Sequence, residues 1–226
     1  MNSIIENYKS TIEKINNKAS EGEKQSVNLV TVSKTHNMDK ISCLLDYGCR
    51  IFGENKIQEA VEKWSDIKNG HLNDKYKDVE LHFIGHLQTN KVSEAVRLFD
   101  FIQTIDRPKL AEKIALEQQK QNKIVKGFIQ VNTGDEKQKS GISTNEANEF
   151  IEYCTKDINL DIIGLMCIPP VDEPAALHFG LLRNIAKANN IKELSMGMSK
   201  DYELAISMGA TYVRVGSEIF GQRGNK

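Results

Sequence analysis

The 226-residue sequence predicts a (β/α)8 TIM barrel in a single domain that spans residues 1–226, with an extra helix at its N-terminus. Eight short apolar runs have the length and pattern of β-strands, and the stretches between them have helical periodicity. Strict alternation of strands and helices favours right-handed βαβ units and a parallel sheet, and eight such units close a barrel. Only the segment SEIFGQRGNK follows the eighth run, so no second domain is expected.

The elements can be assigned in chain order. A first helix is indicated by apolar residues spaced four, four and three apart: Ile4, Tyr8, Ile12 and Ile15. Strands are expected at 28–33, 50–53, 80–85, 101–106, 125–132, 161–166, 193–197 and 211–216. Core-facing helical stripes are expected at Ile57, Ala60, Val61, Trp64 and Ile67, at Ala147, Phe150, Ile151 and Cys154, and at Leu177, Leu181, Leu182 and Ile185. The polar segment 65–79 predicts a surface loop. An open doubly wound sheet is the alternative fold, but the chain has neither GxGxxG after the first strand nor GxxxxGK[ST].

Charge and composition exclude several classes of protein. The chain has 30 Lys and Arg against 31 Asp and Glu, so we expect no surface for nucleic acid. Charges interrupt every long apolar stretch, so we expect neither a membrane span nor a signal peptide. The four cysteines form no CxxC pair, which is typical of reduced, buried thiols in a cytoplasmic protein. His82 and His86 straddle a strand end without a third ligand of matching spacing, so no metal site is expected.

Lys34 is the first candidate functional residue. It follows the first strand and shares the parity of Val30 and Val32, which directs its side chain toward the carboxyl-terminal mouth of the barrel. Partial desolvation there favours the neutral amine that Schiff-base chemistry needs. The alternative is a surface lysine that snorkels at a strand end.

The loops after the seventh and eighth strands, MGMSKD and GSEIFG, have the composition of a phosphate site. Barrel enzymes often bind phosphate at this position, through backbone N–H groups at a helix N-terminus. Ser199 and Ser217 each add a hydroxyl donor, and Gly216 lets a phosphate approach the backbone. Alternatively, Ser199 only caps the following helix and Gly216 only makes a turn.

Arg214 lies between two valines of the last strand, where a guanidinium is costly unless a partner satisfies it. It either pairs with a carboxylate or, on the same face as Gly216, donates to a ring nitrogen of a ligand. Asn55 either caps the helix that contains Ile57 or projects over the mouth. A Schiff-base lysine, a phosphate cradle and an arginine for a pyridine nitrogen together indicate pyridoxal 5′-phosphate (PLP).

Six segments resemble one known family: VTVSKT, FGENKIQEA, HFIGHLQTNK, VNTGDEKQKSGI, GLMCIPP and LSMGMSKDYELAISMGATYVRVGSEIFG. They are similar to the YggS/PROSC family of pyridoxal phosphate homeostasis proteins, in family order from about residue 28 to 223. The resemblance implies a barrel like the N-terminal domain of alanine racemase, with PLP on a lysine after the first strand. Carried over to this sequence, it implies that PLP is bound by Lys34, Asn55, Met198, Ser199, Arg214, Gly216 and Ser217.

The resemblance also implies a function. Family members carry and buffer PLP and maintain vitamin B6 levels, so we expect a cytoplasmic monomer that passes PLP to PLP-dependent apo-enzymes. An arginine beside the pyridine nitrogen makes the ring a weak electron sink, which favours a carrier over an enzyme. The alternative is a PLP-dependent amino-acid racemase or lyase of low activity. Two departures from the family pattern are His86, where many members have proline, and the long 65–79 segment.

Overall fold

The fold is described by a computed structural model over residues 2–21, 26–70, 74–136 and 138–221. Within these ranges the strands are β1 (Asn28–Val32), β2 (Ile51–Glu54), β3 (Glu80–Phe83), β4 (Phe101–Ile105), β5 (Lys126–Asn132), β6 (Ile142–Ser143), β7 (Ile162–Met166), β8 (Glu193–Met198) and β9 (Tyr212–Val215). Their neighbour order is β4-β3-β2-β1-β9-β8-β7-β5, and β4 also pairs with β5, so the sheet closes. Every pair is parallel. The predicted (β/α)8 barrel is therefore confirmed, and the two-residue β6 is an addition beside β5.

Helices surround the barrel. They are α1 (Asn2–Ala19), α2 (Met38–Tyr47), α3 (Ile57–Lys68), α4 (Val92–Leu98), α5 (Pro108–Gln121), α6 (Ala147–Glu152), α7 (Ala175–Ala188), α8 (Tyr202–Ser207) and α9 (Ser217–Phe220). Short 3-10 turns cover Asp74–Tyr76 and Thr89–Lys91, and a π-helical turn, Tyr153–Asp157, continues α6. None of the helices in the described ranges is long and apolar enough to cross a membrane.

The predicted extra helix, α1, is confirmed and packs against the last two helices of the chain. Asn7 Nδ2 donates to the carbonyl of Ile219 at 3.1 Å, and Lys14 pairs with Glu218 at 2.6 Å. These contacts join the first and last elements that the structure describes.

The predicted strand ends agree with the structure to within two residues. Where the prediction runs longer, the parallel ladder continues past the strand: Ser33 donates to the carbonyl of Gly53 at 3.0 Å, and Ile84 donates to that of Glu54 at 2.9 Å. The backbone is thus held firmly up to the residues that rim the mouth.

Two predictions about the helices were partly wrong, although Leu182 is buried as predicted and Ile185 packs against the core. In α7, Leu177 and Leu181 are 65% and 37% exposed, and the buried face consists of His178, Phe179, Leu182 and Ala186. Because successive residues of a helix are rotated by about 100°, the apolar residues of α7 define two overlapping faces, and either face could be buried. The face that contains the large aromatic ring of Phe179 packs on the barrel. The 65–79 loop begins only at residue 69, because α3 continues to Lys68 and buries Ile67.

The core has two parts. The larger lies between the strands and the helices and includes Trp64, Phe52 and Phe179, all fully buried. The smaller lies inside the barrel, where Phe101, Phe128 and Met166 pack together. Buried polar side chains adjoin this cluster inside the barrel; they are His82, which stacks on Phe101, and Gln103, Ser195 and Arg214.

Candidate functional site

Lys34 lies at the mouth of the barrel, two residues after the end of β1. It is half-buried in a turn, and the next residue, Thr35, has a positive φ of 68°. The position agrees with the predicted alternation of side chains, because Lys34 falls on the same face as Val30, which is 0% exposed. No observation within the described residues tests whether Lys34 carries a cofactor, so its role stays a prediction at this point.

The end of β8 and the loop that follows it form a tight turn that depends on a glycine. Gly197 has a φ of 91°, and a Cβ there would lie 2.6 Å from Ala205 Cβ, so only glycine fits. The amide of Met198 donates to Asp201 Oδ1 at 2.6 Å. Ser199 lies half-buried within this turn, whereas Asp201 is the residue before α8. The alternative that Ser199 caps the helix is therefore wrong.

The loop after β9 places Gly216 and Ser217 beside the end of β1. Arg214 pairs in register with Val30 and Val215 with Thr31, so this loop follows the neighbouring strand on the same rim. A Cβ on Gly216 would lie 3.0 Å from the carbonyl oxygen of Val32, which shows how closely the two backbones approach. Ser217 is exposed and begins α9, where the first N–H groups have no acceptor within the helix.

Arg214 lies inside the barrel and is only 4% exposed. One terminal nitrogen, Nη1, donates to Ser195 Oγ at 2.7 Å, and the other, Nη2, donates to the carbonyl of Cys167 at 3.0 Å. Burial lowers the pKa of Arg214, although a guanidinium stays protonated at neutral pH. Within the described residues no carboxylate pairs with it. The hypothesis of a structural ion pair is thus not supported, and a buried cation remains below the mouth.

A chain of polar side chains leads from Arg214 across the barrel interior. Ser195 Oγ donates to Gln103 Oε1 at 2.6 Å, and the other end of this amide, Nε2, lies 2.8 Å from His82 Nδ1. Burial, with the charge of Lys126, lowers the pKa of His82 to about 3, so the ring is neutral and Nδ1 accepts from the amide. Sequence reasoning missed this network. The available signal was a polar residue at an inward position in each of β3, β4 and β8.

Asn55 directly follows β2, at the carboxyl-terminal end of that strand. Lys56 precedes α3 without a side-chain cap, so the interpretation of Asn55 as the helix cap was wrong. Its Oδ1 is buried and has no hydrogen-bond partner within the described residues. Gly85 passes so close that a Cβ there would lie 2.1 Å from the carbonyl oxygen of Asn55. A buried amide oxygen without a donor favours a missing partner at this point of the site.

His86 is exposed on the rim after β3. Its Nδ1 lies 3.0 Å from Ser140 Oγ and 4.0 Å from Asp106 Oδ2. His82 is fully buried within β3, whereas His86 is exposed after that strand. The two histidines therefore do not form one site. No group of three potential metal ligands occurs in the part of the chain that the structure describes.

The comparison with known proteins defines first the class and then the family. The family model for the alanine racemase N-terminal domain matches residues 5–224. An alanine racemase from Clostridium difficile 630 superposes with a TM-score of 0.73 at 14% identity, over 100% of this chain and 58% of that one, and shares the fold. Fold and site thus define a barrel of the alanine racemase class.

Curated relatives are more specific. The pyridoxal phosphate homeostasis protein of Aquifex aeolicus is 36% identical over 221 residues, 94% of this chain and 93% of that protein. The one from Escherichia coli K12 is 34% identical over 233 residues, with 99% and 98% covered. PipY of Synechococcus elongatus PCC7942, solved with PLP bound, superposes with a TM-score of 0.78 at 30% identity, over 92% of this chain and 99% of that one. The chain belongs to the family of pyridoxal phosphate homeostasis proteins.

Proposed function

We propose that this protein binds PLP as a Schiff base on Lys34 and takes part in intracellular PLP homeostasis as a carrier. The observation that carries the proposal is the pairing of β1 with β9, which brings Lys34 and the Gly216–Ser217 loop to one rim of the barrel and Arg214 to the interior below them. Relatives of similar length are named pyridoxal phosphate homeostasis proteins, and PipY was solved with PLP bound. When bound, PLP supplies an aldehyde and an electron-withdrawing pyridine ring.

Two features of the site fit this cofactor. Arg214 is a buried cation without a carboxylate among the described residues, so its N–H groups suit a neutral pyridine nitrogen. Asn55 Oδ1 is a buried acceptor without a donor in the same part of the chain. Lys34 would hold the aldehyde carbon, and the phosphate would lie on the backbone and hydroxyl groups of the loops after β8 and β9. The residues proposed to bind PLP are Lys34, Asn55, Met198, Ser199, Arg214, Gly216 and Ser217.

A carrier suits the charge around the ring. Arg214 cannot accept a proton, so it holds a pyridine nitrogen in the unprotonated form. Unprotonated, the ring withdraws fewer electrons from a bound amino acid, and carbanion chemistry is disfavoured. The weak-enzyme alternative, a racemase or lyase, gains one specific observation: His86 places an exposed imidazole on the rim, with Nδ1 3.0 Å from Ser140 Oγ.

We further propose that residues 1–226 form one domain, that the protein is a cytoplasmic monomer, and that PLP-dependent apo-enzymes receive its PLP. The closed barrel supports a single domain, because the first and last helices described contact one another. A half-buried lysine on an open rim leaves the linkage accessible to an acceptor amine from another protein.

The test is an absorbance spectrum of the protein incubated with PLP, followed by borohydride reduction and peptide mapping. We expect a near-visible band that disappears on reduction and a label on Lys34. Lys34→Ala should lose both, and Lys40→Ala is the matched control because Lys40 is an exposed lysine in the first turn of the adjacent α2. A label that persists in Lys34→Ala, or that is lost in Lys40→Ala, would refute the assignment.

A further inference from the structure

A buried ionic cluster lies behind the mouth, on the outer side of β1 and β2. Glu54, the last residue of β2, is 0% exposed. Its Oε1 accepts from Ser33 Oγ at 2.8 Å, from Lys63 Nζ at 3.1 Å and from Trp64 Nε1 at 3.2 Å. Lys63, on α3, also pairs with Glu59 one turn earlier, at 2.6 Å. The cluster therefore joins one lysine to two carboxylates, of which Glu54 is fully buried and Glu59 is partly exposed.

The same cluster binds the backbone on both sides of Lys34. Lys63 Nζ donates to the carbonyl of Ser33 at 3.0 Å, and Glu59 Oε1 accepts from the amide of Thr35. Thr35 has a φ of 68°, a conformation that a β-branched residue adopts only when its surroundings enforce it. The hydrogen bond from its amide to Glu59 is such a constraint. Both neighbours of Lys34 are thus fixed from α3, while Lys34 itself faces the mouth.

Stability alone does not account for this cluster. Buried ion pairs often contribute no more than apolar residues of similar volume, because the desolvation of the charges offsets their attraction. The cost is visible here, since Glu54 Oε2 is buried without a hydrogen-bond partner within the described residues. Burial raises the pKa of Glu54 despite the nearby Lys63. What the ions provide, and apolar residues cannot, is directional hydrogen bonds to the Ser33 carbonyl and the Thr35 amide.

We propose that Glu54, Glu59 and Lys63 form a positioning cluster that fixes the turn at Lys34 and so aims its amine at the aldehyde of PLP. The inference rests on the proposed Schiff base at Lys34. The amine adds to the aldehyde carbon and water leaves, so the rate depends on how often the amine points at that carbon. The hydrogen bonds and ion pairs described for the cluster join β2, α3 and the segment around Lys34, and none of them goes to the loops after β8 and β9. The cluster therefore acts on the covalent step and leaves binding of the phosphate unchanged.

Two ligands separate these effects. PLP reports both binding and the covalent step, whereas pyridoxine 5′-phosphate has an alcohol in place of the aldehyde and reports binding alone. In Lys63→Met we expect borohydride labelling of Lys34 to slow by about tenfold or more, because small displacements of a reacting group carry such costs. Affinity for pyridoxine 5′-phosphate should stay within about twofold of the unchanged protein.

The chain offers a matched control on the same helix. Lys68 pairs with Asp100 at 2.7 Å and donates to the carbonyl of Val79 at 3.0 Å, but at the amino-terminal end of the barrel. Lys68→Met removes a comparable ion pair far from the mouth, so labelling of Lys34 should be unchanged. Glu59 supplies a second, milder pair of variants because it is partly exposed. Glu59→Ala should slow labelling, and Glu59→Gln should restore it, since an amide oxygen still accepts from the Thr35 amide.

Several outcomes would overturn the proposal. Labelling at the original rate in both Lys63→Met and Glu59→Ala would refute it. An equal loss of PLP labelling and of pyridoxine 5′-phosphate affinity would indicate a general structural role and refute positioning. If the unchanged protein carries no label on Lys34, the proposed function itself fails and this inference falls with it. If the unchanged protein is labelled on Lys34 and the Lys63 and Glu59 variants are labelled at the same rate, the proposed function stands and this inference alone fails.

Discussion

The buried His82 predicts a loss of stability in mild acid. Burial and the charge of Lys126 lower its pKa from the ordinary 6.5 to about 3 in the folded protein. Between these two values the unfolded chain binds a proton that the folded protein does not, so unfolding becomes more favourable as the pH falls. At pH 5, about 1.5 units below the unfolded pKa, this group should remove about 2 kcal/mol of folding free energy, since one unit corresponds to about 1.4 kcal/mol.

The assay is urea unfolding at pH 7 and pH 5, compared between the unchanged protein and His82→Phe. Phenylalanine retains a ring that can stack on Phe101, which lies 4.0 Å from His82 between centroids, but it binds no proton. The variant leaves the Gln103 amide without its acceptor and should lose about 1–3 kcal/mol at pH 7. The decisive quantity is the further loss on going to pH 5, because the carboxylates titrate alike in both proteins. An equal further loss in both proteins would refute the reasoning.

Three further predictions concern the rim. Ser199→Ala and Ser217→Ala should each weaken PLP retention by about 1.5–3 kcal/mol, the cost of one charge-assisted hydrogen bond, without moving the absorbance maximum. Gly197→Ala should destabilise the fold by about 1–3 kcal/mol more than Gly48→Ala. Both glycines have a positive φ, but only at Gly197 would the new methyl group meet a neighbour, Ala205 Cβ at 2.6 Å. Incubation of the PLP-loaded protein with L-alanine should give racemisation far below the median enzyme rate of about 10 per second, measured by chiral chromatography.

Each of these has a contrary result. A shifted absorbance maximum at full affinity would place the serines beside the ring and not beside the phosphate. If urea unfolding shows equal losses of folding free energy in Gly197→Ala and Gly48→Ala, backbone strain alone accounts for the effect and the turn at the end of β8 has room for a methyl group. Racemisation at ordinary enzyme rates that disappears in Lys34→Ala would favour the enzyme over the carrier.

Much of the fold was predictable because it depends on local patterns. Eight apolar runs alternate with stretches of helical periodicity, and strand parity led to the mouth position of Lys34 and to the placement of Arg214 on the same face of its strand as Gly216. Glycine-containing loops after the last two barrel strands were equally local signals. These features need only the periods of strand and helix, which are properties of neighbouring residues along the chain.

The errors have a common cause in competition between neighbours. The apolar residues of α7 lie on two overlapping faces of the helix. Phe179 is buried and Leu177 is exposed because packing against the barrel, and not the helical period, decides which face is covered. The sequence allowed Asn55 either to cap a helix or to project over the mouth; the structure excludes the helix cap, and the close approach of Gly85, which follows β3, to the Asn55 carbonyl is a contact between separate elements. Local periodicity does not contain these contacts.

The sequence by itself determined that the chain folds as a (β/α)8 barrel with a lysine and an arginine on adjoining strands, since a pattern of period two or 3.6 is read along the chain. Only the tertiary structure decided what surrounds those two residues. The interior chain from Arg214 through Ser195 and Gln103 to His82 joins β9, β8, β4 and β3, and Lys63 reaches the backbone at Lys34 from α3. Such hydrogen bonds form between groups separated by 19 to 92 residues, and barrel closure, not local pattern, brings them within 3 Å.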